Sequence, residues 1–198
     1  IESAHNAFLS WRDTPFSQRA AVLTKAAQLL RASKLDFAKI LTLEMGKLLA
    51  EAQAEVELSA EILDYFAAHG EAFMQPDTLP VSKANGRAIV AREPLGVLLA
   101  VEPWNFPYYQ VARILAPQLM AGNTLLLKHA SNVPQSALAF EKLMRDAGLI
   151  EGAFINLFVN HTQIETILND TRVHGVALTG SEGAGAVVAA AAGKALKK

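Results

Sequence analysis

The chain has 198 residues, of which 52% are hydrophobic, and its formal net charge is −1 at neutral pH. This length allows a sizeable core, and the balanced charge argues against nucleic-acid binding, which usually needs a basic face. The absence of cysteine removes disulfides, thiolate zinc sites and a cysteine nucleophile from these residues, and we predict no metal site.

No apolar run approaches the roughly 18 residues that a membrane helix needs, and the start of the chain lacks a signal-peptide pattern. We therefore expect a cytoplasmic protein without a membrane partner. The chain begins at Ile1 rather than at methionine, which predicts a trimmed protein or a fragment.

The first 72 residues carry the periodicity of amphipathic helices. One apolar stripe follows the i, i+3, i+4, i+7 spacing: Leu23, Ala26, Ala27 and Leu30. Thr14 followed by Pro15 predicts an N-cap and the first residue of a helix. A later helix over 52–68 is predicted to bury four side chains, those of Leu58, Ile62, Tyr65 and Phe66.

Prolines and an Asn85-Gly86 pair interrupt the chain over 75–87, and 87–92 then alternates like a strand. Beyond Pro94, four short apolar runs predict strands buried on both faces, over 97–101, 124–128, 155–159 and 173–178. Helical stretches separate or follow them, over 108–120, 134–147, 162–168 and 182–195.

This alternation predicts an α/β fold, in which amino-terminal helices precede a Rossmann-like, doubly wound parallel sheet over 94–198. Such sheets bind ligands beyond the carboxyl ends of their strands. The loops to inspect are those after Val101, Lys128, Phe158 and Leu178.

The loop after the first buried strand reads Glu102-Pro103-Trp104-Asn105-Phe106-Pro107. Its two prolines restrict the backbone and leave the Asn105 side chain free to point in a defined direction. An asparagine at a strand end can donate a hydrogen bond to an oxyanion, an effect worth on the order of 3 kcal/mol. From these residues alone, an oxyanion donor and a merely structural turn are both open.

The second motif runs from Gly122 to Ser131 and places Lys128 at the carboxyl end of a buried strand. A cation there can reach the ribose or phosphate of a nucleotide, although a solvated lysine is the alternative. His129 follows it, and we expect this histidine to pack within the loop rather than to contact a cofactor.

The third motif, Thr179-Gly180-Ser181-Glu182-Gly183-Ala184-Gly185, opens the last helix. A helix N-terminus presents free amides and the positive end of a dipole, which suit a pyrophosphate, and the glycines allow close approach. The alternative is a strand-to-helix turn that is capped by Thr179 or Ser181.

Together the three motifs resemble the aldehyde dehydrogenase family, in their order and in their places after strands. The family signature Pro-Trp-Asn-Phe-Pro is matched at 103–107, and 122–131 is similar to Gly-Asn-x-x-x-x-Lys-Pro-Ala-Glu. Residues 178–185 are similar to Phe-Thr-Gly-Ser-x-x-x-Gly, with leucine in place of phenylalanine. Residues 90–97 and 128–134 further resemble the succinate-semialdehyde dehydrogenase branch.

By this resemblance, Asn105 is the catalytic residue that stabilises a tetrahedral thiohemiacetal. The cofactor-binding residues that the resemblance implies are Glu102, Pro103, Trp104, Lys128, Ser131, Gly180, Ser181 and Gly185. The cofactor is NAD or NADP: Ser131 stands where NAD-preferring members often carry a glutamate that repels a 2′-phosphate, so that NADP is permitted.

The resemblance also implies oxidation of a small-molecule aldehyde to a carboxylic acid, with succinate semialdehyde as a candidate substrate. Members of the family use a cysteine nucleophile and a glutamate general base. This chain has no cysteine and stops before the segment that carries that glutamate, so we expect a truncated cofactor-binding domain that is inactive alone. A carboxylate-bearing substrate needs a cationic anchor, for which both Arg113 and Arg145 are open.

Family members form dimers or tetramers through a protruding hairpin, and 79–93 is its expected first part here. We therefore expect a homo-dimer or homo-tetramer, with an ordinary edge hairpin as the alternative.

Three other functions compete with this interpretation of the sequence. A short-chain dehydrogenase is disfavoured because no Gly-x-Gly-x-x-Gly follows the first strand and neither Tyr108 nor Tyr109 has a lysine four residues on. A CoA-acylating aldehyde dehydrogenase shares the fold, although the Trp-Asn-Phe-Pro motif favours the hydrolytic branch. A non-catalytic nucleotide-binding or assembly module is the remaining alternative.

Overall fold

The computed structural model describes residues 1–82 and 86–198. Four helices come first: α1 (Glu2–Trp11), α2 (Phe16–Ala32), α3 (Lys34–Met45) and α4 (Leu49–Phe73). The predicted apolar stripe of α2 is fully buried in the core that these helices share with the sheet. No helix in the described ranges is long and apolar enough to cross a membrane.

Two local predictions about these helices are wrong. Thr14 does not cap α2, because its hydroxyl donates to the Ser10 carbonyl oxygen at 3.2 Å and Pro15 is the N-cap. Leu58 and Tyr65 of α4 are 41% and 51% exposed rather than buried. Tyr65 instead packs on the outside of the helix against His69, with their ring centroids 4.7 Å apart.

A short antiparallel pair follows the helices. Strand β1 (Asp77–Leu79) pairs with β2 (Ala88–Val90), in the register Asp77 to Val90. The predicted hairpin over 79–93 includes residues 83–85, which lie outside the described residues. Asn85 of the predicted turn signal is one of these three residues. Its role in assembly stays a prediction.

The remaining strands form one parallel sheet in the order β5-β4-β3-β6. They are β3 (Val97–Val101), β4 (Thr124–Lys128), β5 (Phe154–Asn156) and β6 (Val173–Leu178). The helices between and after them are α5 (Pro107–Ala121), α6 (Pro134–Asp146), α7 (His161–Asn169) and α8 (Glu182–Lys194). The predicted fold class is therefore confirmed. Strand β5 is shorter than predicted because the chain turns outward after it, leaving Phe158 67% exposed.

The sheet separates two apolar cores. Alternate residues of β3 and β4, such as Leu98 and Leu125, face the core that α2 to α6 complete. Their neighbours, such as Leu99 and Leu126, face a second core closed by α7, α8 and Ala4 of α1. Both central strands are thus covered on both sides, as a parallel sheet requires.

The strand order contains a switch point. The chain runs outward from β3 through β4 to β5, and then returns to place β6 on the other side of β3. The loops after β3 and β6 therefore diverge and leave a crevice at the carboxyl edge of the sheet, the usual place for a ligand in this class of fold.

Candidate functional site

The three sequence motifs meet at the carboxyl edge of the sheet. The amide of Glu102 donates to the carbonyl oxygen of Lys128 at 3.1 Å, and the amide of Thr179 donates to that of Val101 at 3.0 Å. Main-chain hydrogen bonds consequently join the ends of β3, β4 and β6, at residues that belong to the three motifs.

The Asn105 loop presents side chains to solvent while its backbone is anchored. Trp104, Asn105 and Phe106 are exposed, and Pro103 before them is half-buried. The carbonyl oxygen of Asn105 accepts a hydrogen bond from Lys47 Nζ at 2.9 Å. Within the described part of the chain, no hydrogen bond engages the side-chain amide of Asn105, which leaves it available to a ligand.

Glu102 is the first residue of this loop and is only 4% exposed. Burial raises its pKa to about 7, an effect that the Thr179 hydroxyl and the Arg113 guanidinium partly offset. Its Oε2 atom is buried without a hydrogen-bond partner among residues 1–82 and 86–198. The start of the Asn105 loop therefore carries a buried carboxyl group whose pKa is raised to about 7.

Lys128 and His129 are buried at the end of β4. Lys128 Nζ donates to the His129 carbonyl oxygen at 3.1 Å, and burial lowers the pKa of this lysine. The His129 ring bridges two segments: Nε2 lies 3.1 Å from the Pro107 carbonyl oxygen and Nδ1 accepts from the Ala130 amide at 2.8 Å. Burial lowers the pKa of His129, so the ring is neutral and packs within the loop as predicted.

A cavity of about 380 Å³ opens between the loops after β4 and β5. Lys128 and Ser131 line one side, and Asn156, Phe158 and His161 line the other. Both polar side-chain atoms of Asn156 are buried without a partner in the described ranges. Asn156 could not be predicted as a site residue from the sequence, because an asparagine at a strand end has no spacing signature of its own.

The third motif forms the N-terminus of α8. Ser181 is the N-cap, and its Oγ accepts from the Ala184 amide at 3.3 Å, which selects Ser181 rather than Thr179 as the capping residue. A Cβ added at Gly185 would meet no atom within 4 Å, and one at Gly180 would come no closer than 3.5 Å to Leu178. Packing within the described chain therefore does not require either glycine.

A second, apolar cavity of about 710 Å³ lies between α7 and α8, next to that N-terminus. Ile164, Leu178, Val187 and Ala191 are among its lining residues. This apolar slot could not be predicted from the sequence, because it lies between two helices whose mutual orientation only the fold determines. It offers a flat apolar surface near the amides of the α8 N-terminus.

The two candidate anchors for a substrate carboxylate lie at opposite edges of the sheet. The Arg113 guanidinium donates to Thr179 Oγ1 at 3.0 Å and packs over the Tyr109 ring at 5.5 Å from its centroid. It therefore lies at the carboxyl edge. Arg145 is in the last turn of α6, beside Ile150 and Gly152, at the amino edge.

Comparison with known proteins agrees with this geometry. The family model described as the aldehyde dehydrogenase family matches residues 1–198, and the chain belongs to that family. A relative from Deinococcus radiodurans, described as a succinate-semialdehyde dehydrogenase for NADP(+), is 50% identical over the whole chain.

Solved structures give the same result. One of them is a structure of Gox0499 that concerns cofactor and substrate selection by that protein, and it matches with a TM-score of 0.97 at 46% identity. The Streptococcus pyogenes succinic semialdehyde dehydrogenase, in complex with NADP+ as the cofactor, matches with a TM-score of 0.96 at 45% identity. The chain is covered completely in both, but it spans only 43% of each of these structures and 41% of the Deinococcus relative.

The buried Glu102 makes stability depend on pH. Because its folded pKa of about 7 lies above that of an unfolded glutamate, the folded state holds the extra proton, and stability falls as pH rises from about 4.5 to about 7. Replacing Glu102 by glutamine removes this loss. We expect the melting temperature of Glu102→Gln, relative to the parent chain, to be higher at pH 8 than at pH 5.

Thermal unfolding followed by circular dichroism at the two pH values measures this difference. The exposed Glu71→Gln is the matched control and should show no such dependence. An equal change in melting temperature at both pH values for Glu102→Gln would contradict the raised pKa of Glu102.

Proposed function

We propose that this chain is the cofactor-binding part of an NADP-dependent aldehyde dehydrogenase that oxidises an aldehyde to a carboxylic acid. The observation that carries the proposal is the convergence of the Asn105 loop, Lys128 and the α8 N-terminus at one edge of the sheet. The NADP(+) designation of the Deinococcus relative and the NADP+ complex from Streptococcus pyogenes support the choice of cofactor.

The described residues fit the parts of such a dinucleotide. The apolar slot between α7 and α8 suits an adenine ring, and the free amides at the start of α8 suit a pyrophosphate. Polar groups for a ribose and its 2′-phosphate come from Lys128, Ser131 and Asn156, and the polar side-chain atoms of Asn156 have no partner among the described residues. When bound, NADP supplies the hydride acceptor of the reaction.

Asn105 has the chemical role in this proposal. As a nucleophile adds to the aldehyde carbon, the carbonyl oxygen gains negative charge, and the Asn105 amide donates a hydrogen bond to it. Gly180 and Gly185 leave room for the pyrophosphate at the α8 N-terminus. Pro103 and the exposed Trp104 are proposed to contact the cofactor.

The nucleophile must come from outside these residues, because the chain contains no cysteine. We therefore propose that the 198 residues alone bind cofactor but do not turn over aldehyde. The full-length gene product is further proposed to be a cytoplasmic homo-dimer or homo-tetramer that uses the hairpin around 79–93, and light scattering of that protein tests its assembly.

The test of the proposed function is oxidation of succinate semialdehyde by the full-length gene product with NADP, compared with Asn105→Ala. We expect Asn105→Ala to lower kcat about 100- to 1000-fold, because one oxyanion donor is lost. Asn6→Ala, an exposed asparagine of α1, is the control and should leave kcat unchanged.

Undiminished turnover in Asn105→Ala would remove the proposed mechanism. A full-length protein that binds NADP but oxidises no aldehyde would instead favour a non-catalytic nucleotide-binding module.

Ser131 is proposed to admit the 2′-phosphate of NADP. Ser131→Glu places a carboxylate at the same position, and we expect the KM for NADP to rise about ten-fold or more while the KM for NAD does not rise. Steady-state kinetics with both cofactors measures the change. Ser131→Gln adds the same bulk without charge, so an equal loss in this control would assign the effect to size instead.

Arg113 is proposed to hold the carboxylate of succinate semialdehyde, because it is the candidate cation at the carboxyl edge. We expect Arg113→Met to raise the KM for succinate semialdehyde about ten-fold or more and to leave the KM for butanal nearly unchanged, since butanal has no carboxylate. Arg145→Met is the control at the opposite edge. Equal losses on both aldehydes in Arg113→Met would exclude the anchoring role.

A further inference from the structure

A buried ion pair lies in the helical region, outside all three motifs. Lys47 stands in the connection between α3 and α4, and Glu55 stands in α4. Their ammonium and carboxylate groups are in contact, with side chains 7% and 1% exposed. Burying two charges is costly unless further hydrogen bonds satisfy both groups, so the remaining contacts of this pair show what it is used for.

The remaining contacts of Lys47 go to the Asn105 loop. Its Nζ donates to the carbonyl oxygen of Asn105 at 2.9 Å, across a sequence separation of 58 residues. The same Nζ lies 3.8 Å from the centroid of the Phe106 ring, within the range of a cation–π interaction. Lys47 thus holds both the backbone of Asn105 and the next side chain.

Glu55 holds the other end of the same segment. Its Oε1 accepts from the Tyr108 amide at 2.9 Å and from the Tyr109 amide at 3.3 Å. Both amides belong to the first turn of α5, where backbone donors have no partner within the helix and a negative charge is favourable. Glu55 therefore fixes the point at which the loop becomes a helix.

We infer that Lys47 and Glu55 are positioning residues for the oxyanion donor Asn105. The side-chain amide of Asn105 is held by no hydrogen bond in the described ranges, so its direction follows from its backbone. The pair fixes that backbone at the Asn105 carbonyl and again at the start of α5, three residues further on. The inference rests on the proposed function of Asn105. Neither Lys47 nor Glu55 contacts the reacting atoms, and a displacement of about 1 Å at a catalytic group is enough to lower a rate about 100-fold.

A purely structural pair makes a different prediction. Loss of such a pair lowers the free energy of unfolding but leaves kcat unchanged in the molecules that remain folded. Loss of a positioning pair lowers kcat, leaves the KM for aldehyde and the Kd for NADP nearly unchanged, and depends on the presence of Asn105.

The kinetic test uses Lys47→Met in the full-length gene product, alone and combined with Asn105→Ala. We expect Lys47→Met alone to lower kcat about 10- to 100-fold, with KM and Kd changed less than about three-fold. Combined with Asn105→Ala, it should lower kcat by no more than about two-fold further, because the group that it positions is already absent. Lys47→Arg keeps the cation and should recover most of kcat.

The matched control is the ion pair of Lys34 and Glu57, which joins the start of α3 to α4 at 2.8 Å and does not contact the loop. Lys34→Met should leave kcat and its dependence on Asn105 unchanged. Should Lys47→Met fail to fold, Glu55→Gln carries the same comparison, since it keeps a polar group in place.

A second measurement does not require turnover. Hydrogen exchange followed by mass spectrometry over residues 104–110 should accelerate in Lys47→Met and Glu55→Gln, and not in Lys34→Met. Unchanged exchange, an unchanged kcat, or a full additional loss in the Asn105→Ala background would overturn the inference. Absence of aldehyde oxidation by the unmodified protein would instead contradict the proposed function, and the exchange data would still decide whether the pair holds the loop.

Discussion

The burial of β3 and β4 on both faces is the constraint on which the rest of the structure depends. Leu99 and Leu126 at their centres are fully buried, and each lies between residues that face the opposite core. Parallel strands that are covered on both sides are connected by crossover helices, which brings all their carboxyl ends to one edge. The three motifs meet there because of this topology and not because of their spacing in the sequence.

This part of the fold could be predicted from the sequence. Continuous apolar runs identified the buried strands, and the turn and cap residues that follow them identified the loops. Three of the four strands have the predicted bounds. Strand β5 ends after Asn156, because the chain turns outward and leaves Phe158 at the surface. The fold class and the family could be predicted because local pattern and global topology agree in these segments.

Other features could not be predicted, for physical reasons. Apolar periodicity shows which residues share a helix face but not which face is covered, so Tyr65 was wrongly expected to be buried. The burial of three polar residues could not be predicted for a similar reason. In the sequence, Asn156, Lys47 and Glu55 resemble ordinary surface residues, and only the fold shows that their polar groups are buried. The backbone groups that Lys47 and Glu55 bind are 58 and 53 residues away in the sequence, and no local spacing records a contact of that range.

Lys47 and Glu55 belong to the first 72 residues, whereas the backbone groups that they bind belong to the sheet region beyond residue 94. The two regions also share a single apolar core. The division into a helical part and a dinucleotide-binding part is therefore a division of secondary structure and not of function. In recombination between relatives, a crossover placed in the connection between these regions separates the Asn105 loop from the residues that hold its backbone. Chimaeras of this family should keep both segments from the same parent, even though the junction looks like a natural module boundary.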